Sequence, residues 1–452
     1  MSTVGQKERA TQDRVVKLFS DRDYPGNLGY RYLGNWGDRE DNANIEVELL
    51  TKFLTGQGHG DGLIKRALHE LQRVAGDQNK SLYEVNKDVY RLLRYGVKVK
   101  EGVGEQTKTV WLINWTDPDA NDFAIAEEVT VAGEREKRPD IVLYVNGIAL
   151  GVIELKRAIN DVAEGIRQNL RNQGKDYIER FFTTMQLVMA GNDTQGLRYG
   201  TIGTAEKYFL RWKEPSDIEN RLDRHLTQVC GKARLLEIIH DFIVFDAGTK
   251  KLCRPNQYFG VRAAQERVRS REGGIIWHTQ GSGKSLAMVW LTKWIRENVN
   301  NSRVLIITDR TELDDQIEKV FHGVDEDIYR TQSGSDLIRT LNHTTPWLVC
   351  SLIHKFGGKE EGEISDYIGD LQRALPRDFQ AKGDIYVFVD ECHRTQSGEL
   401  HEAMKSILPN AMFIGFTGTP LLRQDKQRSI EVFGSYIHTY KFDEACPSGK
   451  RG

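Results

Sequence analysis

At 452 residues, the chain exceeds what one compact core holds, and its length suggests two or three domains. With 39% hydrophobic and 28% charged residues and a formal net charge of −2, it is not a protein that grips polyanions by overall charge, so any nucleic-acid surface must be a local basic face. There is no basic-apolar leader, and no apolar run approaches the ~18 residues that span a bilayer, which makes the cytosol the expected compartment. Cys230, Cys253, Cys350, Cys392 and Cys446 lack CxxC or Cys/His ligand spacing, which fits reduced thiols better than disulfides or a zinc site.

Residues 1–43 are polar and show no sustained period, so they are expected to form an arm. From Asn44 the apolar spacing becomes helical, through Ile45, Leu49, Leu50, Phe53 and Leu54 and then Leu63, Ile64, Leu68 and Leu71. A third helix is predicted over Leu82 to Tyr95. Val97 and Val99, then Val110, Leu112 and Ile113, read as strands.

The run Arg138 to Lys156 holds two β-prone stretches around Asn146-Gly147, a strong hairpin signal. Glu154 and Lys156 lie two residues apart and share one strand face. A regular two-residue hairpin would put Asp140 on the opposite face, whereas a one-residue bulge or a three-residue loop would bring it opposite Glu154; a bulge or irregular start near Asp140 is therefore expected. The chemistry of the trio is metal-assisted phosphodiester hydrolysis. Asp140 and Glu154 would hold Mg²⁺ and Lys156 would stabilise developing negative charge.

Pro-Asp, a spacer and Glu-x-Lys resemble the PD-(D/E)xK nuclease superfamily. Downstream, Asp161 to Phe182 reads as a helix on which Gln173 and Tyr177 share a face. This Gln-x-x-x-Tyr spacing is similar to the accessory motif of the RecB-like branch. The upstream helix glutamate often found in such nucleases could be Glu46, Glu48 or Glu84. Gln186 to Ala190 and Lys207 to Leu210 suggest further strands. A polar, helix-rich stretch then runs from Pro215 to Gly231, followed by a packed helix over Leu235 to Phe245. The domain junction is expected between residues 230 and 255.

The apolar run Ile275-Ile276-Trp277, the loop His278-Thr279-Gln280-Gly281-Ser282-Gly283-Lys284-Ser285 and the helical spacing from Leu286 to Asn298 read as strand, phosphate loop and helix. Gly281 and Gly283 let the backbone curl so that its N–H groups face an anion at the positive end of the helix. Lys284 would reach the β- and γ-phosphates, with the Ser285 hydroxyl on Mg²⁺. His278 stands where the general phosphate-loop pattern wants glycine.

Beyond the loop, the apolar runs Val304 to Thr308, Trp347 to Ser351, Ile385 to Val389 and Met412 to Phe416 alternate with helical segments. They imply a parallel sheet with its chemistry at the strand carboxyl ends. Those ends carry Thr308-Asp309-Arg310, Ser351 to Phe356, Asp390-Glu391-Cys392-His393 and Thr417-Gly418-Thr419-Pro420. Asp390 would hold the metal and Glu391 would orient and deprotonate the attacking water, while Thr417 and Thr419 would sense loss of the γ-phosphate.

This ordered set resembles the first RecA-like lobe of superfamily 2 helicases and translocases, in which Gln257 would be the adenine-reading glutamine and His393 part of the nucleotide site. With the nuclease-like region in front, the chain resembles the restriction (R) subunit of type I restriction-modification enzymes from about residue 40 to 445. The expected fold is α/β: an arm (1–43), a PD-(D/E)xK-like domain of mixed sheet flanked by helices (44–235), a linker (236–255), one RecA-like parallel-sheet lobe (256–445) and an atypical tail (446–452). The resemblance implies an Mg²⁺-dependent endonuclease coupled to ATP-driven translocation on double-stranded DNA. Its implied partners are methyltransferase (M) and specificity (S) subunits, with S-adenosylmethionine on the methyltransferase. The family continues into a second lobe, so a frameshift or truncation at the tail is expected, together with poor ATP turnover by this polypeptide alone. The rival readings are a repair helicase with a nuclease-like DNA-binding domain, and a non-catalytic remnant that docks on the methyltransferase.

Overall fold

The computed structural model describes residues 8–102, 104–308, 327–352, 363–377, 379–390, 403–418 and 433–440, with Glu318 and Phe321. The chain divides into two compact units, Met1–Arg254 and Pro255–Gly452.

In the first unit, a six-stranded mixed sheet has the order β1-β4-β5-β6-β7-β8. Its strands are β1 (Arg31–Asn35), β4 (Phe123–Glu127), β5 (Ile141–Val145), β6 (Ile148–Leu155), β7 (Leu187–Asn192) and β8 (Gly196–Gly200). Every residue of β4 to β7 is buried, as expected of strands covered on both faces. The predicted hairpin is present, and Asn146 and Gly147 both adopt the left-handed backbone that a tight two-residue turn requires. Helices α2 (Val47–Gly56), α3 (Asp61–Ala75) and α4 (Leu82–Tyr95) follow the predicted periodicity. A capping box between Ser81 and Glu84 fixes the start of α4. The short hairpin of β2 (Val97–Val99) and β3 (Lys108–Val110) follows.

Four expectations need correction. Residues 1–43 are no loose arm: α1 (Glu8–Ser20) buries Val15, Leu18 and Phe19, and β1 is an edge strand parallel to β4. Their apolar positions are too few for a visible period, and distant partners hold them, with Arg14 bridging Asp193 and Asp223. The helix expected from Asp161 to Phe182 ends at Asn172 as α5 (Val162–Asn172), where Gly174 interrupts the pattern, and a short 3-10 turn over Glu179–Thr183 follows. Lys207 to Leu210 is not a strand. A 3-10 turn covers Glu206–Tyr208, Tyr208 is exposed, and an isolated bridge joins Leu210 to Tyr199. Residues 236–255 are not a linker either. They complete α7 (Lys232–Asp241), which follows α6 (Arg221–Cys230), and form the hairpin of β9 (Ile243–Asp246) and β10 (Thr249–Leu252). Ile238, Ile239, Phe242 and Val244 are all buried, so this segment belongs to the core of the first unit.

Among the described residues of the second unit, seven parallel strands have the order β13-β14-β12-β15-β16-β11-β17. They are β11 (Gly274–His278), β12 (Ser302–Thr308), β13 (Tyr329–Arg330), β14 (Leu348–Leu352), β15 (Asp384–Asp390), β16 (Met412–Thr417) and β17 (Tyr436–Tyr440). Apolar side chains of β11, β12, β15 and β16, among them Ile275, Leu305, Val387 and Phe413, share one core. Helix α8 (Pro255–Ser270) precedes β11, and α9 (Lys284–Asn298) follows the glycine loop.

Candidate nuclease centre and nucleotide loop

The hairpin register decides whether the predicted trio meets. Val145 pairs with Ile148 and Tyr144 with Ala149, but Leu143 pairs with Gly151, leaving Leu150 as a bulge. From there Ile141 faces Ile153, so Asp140 comes opposite Glu154 on one sheet face. The bulge was expected near Asp140. It lies at the turn end instead, where one extra residue re-registers the whole pair.

Asp140 accepts a 2.6 Å hydrogen bond from the Leu155 N–H, between the two other members of the trio. Glu154 is fully buried. The Lys156 ammonium lies 3.9 Å from its carboxylate and donates to the Leu155 carbonyl at 2.9 Å. Helix α5 covers this face through Gly165, where an added Cβ would come within 3.0 Å of the Ala190 Cβ and 3.4 Å of the Glu154 Cβ. Sequence reading overlooked Gly165. A glycine inside an amphipathic helix was its one signal, because such a residue costs about 1 kcal/mol of helix propensity unless packing requires it.

The donor set suits Mg²⁺, which takes one or two carboxylates and completes its shell with water and phosphate oxygens. Among the described residues no group of three His, Cys, Asp or Glu comes together as a metal-ligand set, so Asp140 and Glu154 would supply two ligands and no third side chain of these types.

Gln173 and Tyr177 do not share a helix face, because α5 has ended. Gln173 caps α5, donates to the Asn169 carbonyl and accepts from the Gly203 N–H at 2.8 Å. The Tyr177 ring lies under the cations of Lys137 and Arg135 and lines a cavity of about 400 Å³ with Gly133, Lys175 and Arg180. Glu46 is bound to Arg39, Glu48 is exposed, and Glu84 caps α4.

In the second unit the loop takes the expected shape. Gly281 and Gly283 have φ of +75° and +85°, the left-handed region in which glycine is strain-free. Gly283 caps α9, whose first residues are Lys284 and Ser285. The floor of the loop comes from α8. Gln257 is buried and donates to the Gly283 carbonyl at 2.9 Å, and Asn256 reaches the Ser282 carbonyl at 3.4 Å. His278, the departure from the phosphate-loop pattern, is buried at the end of β11 and shares a 2.9 Å hydrogen bond with His438 of β17. Burial holds its pKa down to about 3, with His438 and the Lys284 ammonium acting in the same direction.

The strand order carries the other motif ends to the loop. Thr417 is in register with Trp277 on the neighbouring strand, and Asp390 with Phe416. A Cβ on Gly418 would lie 2.6 Å from the Lys284 Nζ, so Gly418 leaves room for that lysine. Asp390 is a buried carboxylate, and Ser285 is partly exposed on the loop helix. Thr279 and Gln280 connect β11 to the loop, and the Thr279 N–H donates to the Tyr440 carbonyl at 3.3 Å. Two carboxyl ends, a helix N-terminus and a lysine suit a nucleotide polyphosphate with its cation. Glu391, His393, Thr419, Asp309, Arg310 and Ile353 to Phe356 lie outside the described residues.

Comparison with known proteins agrees with both units. Residues 8–207 match the family described as type I restriction enzyme R protein N terminus, and residues 256–450 match the SWI2/SNF2 ATPase family. The MjaIXP type I restriction enzyme endonuclease subunit of Methanocaldococcus jannaschii is 27% identical over 424 residues, 85% of this chain and 39% of that protein. The HindI endonuclease subunit of Haemophilus influenzae is 28% identical over 408 residues, 80% of this chain and 37% of its own length. The chain thus spans well under half the length of these relatives. Among solved structures, the Sulfolobus solfataricus SWI2/SNF2 ATPase core in complex with dsDNA is 14% identical, with a TM-score of 0.32 over 43% of this chain and 36% of that one. The chain thus joins a region of the type I restriction enzyme R protein N-terminus family to a region of the SWI2/SNF2 ATPase family, and over most of its length it is similar to type I restriction enzyme endonuclease subunits.

Proposed function

We propose that the chain supplies the Mg²⁺-dependent DNA endonuclease and the first ATP-binding lobe of a double-stranded DNA translocase in a cytoplasmic type I restriction complex. The observation that carries this reading is the bulged hairpin, which sets two carboxylates and a lysine on one face of a sheet in an R-protein unit. A divalent cation held by Asp140 and Glu154 supplies charge shielding and an acidified water. Lys156 faces the developing negative charge on the scissile phosphate, while Gln173 and Tyr177 shape the surface beyond α5. In the second unit Gly281 to Ser285 cradle the phosphates, with Thr279 and Gln280 at the loop entrance. Asp390 completes the cation site, Glu391 activates water, Gln257 reads the adenine, His393 belongs to the nucleotide site, and Thr417 and Thr419 sense loss of the γ-phosphate. The M and S subunits, with S-adenosylmethionine on the former, select the DNA.

The test is a pair of substitutions in the complex reconstituted with M and S subunits. Lys156→Ala should abolish Mg²⁺-dependent cleavage and leave nucleotide binding intact, whereas Lys284→Ala should abolish nucleotide binding. Unchanged cleavage by the Lys156 variant rejects the nuclease centre.

A further inference from the structure

Beside β8 the first unit gathers arginines that form no ion pair with a carboxylate among the described residues. The ladder pairs Glu154 with Ala190 and Ala190 with Arg198, so Arg198 stands on the Glu154 face two strands away. At the usual interstrand spacing that is roughly 10 Å. Tyr199 and Leu210 exchange backbone hydrogen bonds of 3.0 and 2.8 Å, which makes Arg211 the cross-strand neighbour of Arg198. Like charges set directly opposite each other destabilise a sheet. Arg221, the first residue of α6, joins them across the β7–β8 turn. It donates to the Thr194 carbonyl at 2.9 Å, while Arg211 donates to the Gln195 carbonyl at 3.2 Å.

Among the described residues none of these three arginines forms an ion pair, and the buried Arg211 Nε has no hydrogen-bond partner. Asp193 in the same turn is already bound by Arg14, Asn220 and Thr11. Asp161, the N-cap of α5, is an acidic group whose field reaches Arg198 without forming an ion pair with it among the described residues. The neighbouring His225 is a neutral imidazole, since its Nδ1 accepts from the Leu197 N–H, and so offers the arginines no counter-charge. Burial, then the fields of Arg211, Arg224, Arg221 and Arg198, push that imidazole down to about 4. Other arginines of this unit are answered, Arg39 by Glu46 and Arg234 by Glu214.

We propose that Arg198, Arg211 and Arg221 form a phosphodiester-binding site that grips the DNA backbone beside the nuclease centre. Guanidinium forks match phosphate oxygens, and the arriving anion removes the repulsion that the free protein carries. The identity of the polymer rests on the nuclease reading; the anion chemistry does not.

The experiment measures binding of a labelled DNA duplex to the 452-residue chain in EDTA, where no cleavage intervenes, across a series of salt concentrations. Each lost phosphate contact should lower the slope of log affinity against log salt by about 0.9. Arg221→Gln, at an exposed position, should remove one such step, and the double variant Arg198→Gln with Arg211→Gln about two. Because cross-strand repulsion is relieved, the double variant should melt at or above the wild-type temperature. An unchanged slope in Arg221→Gln, or no duplex binding by the wild type, overturns the proposal. So does an unchanged duplex slope accompanied by weakened binding of inorganic tripolyphosphate, which would assign the cluster to a free polyphosphate. A lowered slope with no Mg²⁺-dependent cleavage in the reconstituted complex keeps the arginine site and rejects the nuclease reading; cleavage with an unaltered slope does the opposite.

Discussion

Gly165 shows how one missing Cβ can set a site. Substitution with valine drives a branched side chain against Ala190 and Glu154, at a point where even the first added carbon would sit at 3.0 Å. Overpacking of this kind costs about 1–3 kcal/mol. Gly165→Val should therefore lower the urea midpoint of the first unit and suppress cleavage while nucleotide binding persists; full cleavage activity in a folded Gly165→Val protein would contradict this placement of α5. The two loop glycines separate strain from crowding. A Cβ on Gly281 meets nothing within 4 Å, so Gly281→Ala carries only the left-handed backbone cost of about 1–2 kcal/mol. A Cβ on Gly283 would fall 2.2 Å from the Gln257 amide nitrogen and break the bond that props the loop. Gly283→Ala should weaken binding of a fluorescent ATP analogue by at least tenfold more than Gly281→Ala, and equal losses would show that Gln257 is no prop.

The β9–β10 hairpin is the element whose role was least visible. Lys250 looks like a surface residue beside a second lysine, yet its side-chain nitrogen is buried and donates to Asn86, the Met185 carbonyl and Gln186. The Phe245 ring lies 5.2 Å from the same nitrogen. Replacing Lys250 with Met leaves three buried acceptors without their donor, each worth about 1–3 kcal/mol. We expect a loss of several kcal/mol in urea unfolding of the first unit; a neutral outcome would mean that water satisfies those acceptors. Burial also pushes the pKa of Lys250 well down. The unfolded chain therefore binds more protons between that lowered value and about 10.4, and this contribution to stability grows as pH rises through the interval. At the same scale, α4 and the β5–β6 hairpin were legible, because a capping serine, apolar spacing and Asn-Gly are local signals. α1 and the β9–β10 hairpin were not. Their few apolar residues acquire meaning only from partners far along the chain, such as Asp193 for Arg14 and Asn86 for Lys250.

Across the whole molecule, each unit buries a neutral histidine. The folded pKa of His225 is about 4 and that of His278 about 3, against about 6.5 in an unfolded chain. Above that reference value neither state binds the proton. Below it the unfolded chain does, so stability present at neutral pH is lost as pH falls toward about 4, on the order of 3 kcal/mol from His225. The urea midpoint should drop through this window and drop less steeply in His225→Asn; parallel pH profiles for the two proteins would refute the assignment. What the sequence alone determined was the kind of chemistry and its order along the chain. Asp140, Glu154 and Lys156, the loop from Thr279 to Ser285 and the polar ends of apolar strands are short-range patterns, because each needs only a strand or a helix to present it. Only tertiary structure decided which of them meet. The Leu150 bulge turned Asp140 toward Glu154, the strand order brought Thr417 beside the loop, and the Tyr199–Leu210 bridge set two arginines face to face. Register and strand order depend on pairings between distant segments, so no local spacing encodes them.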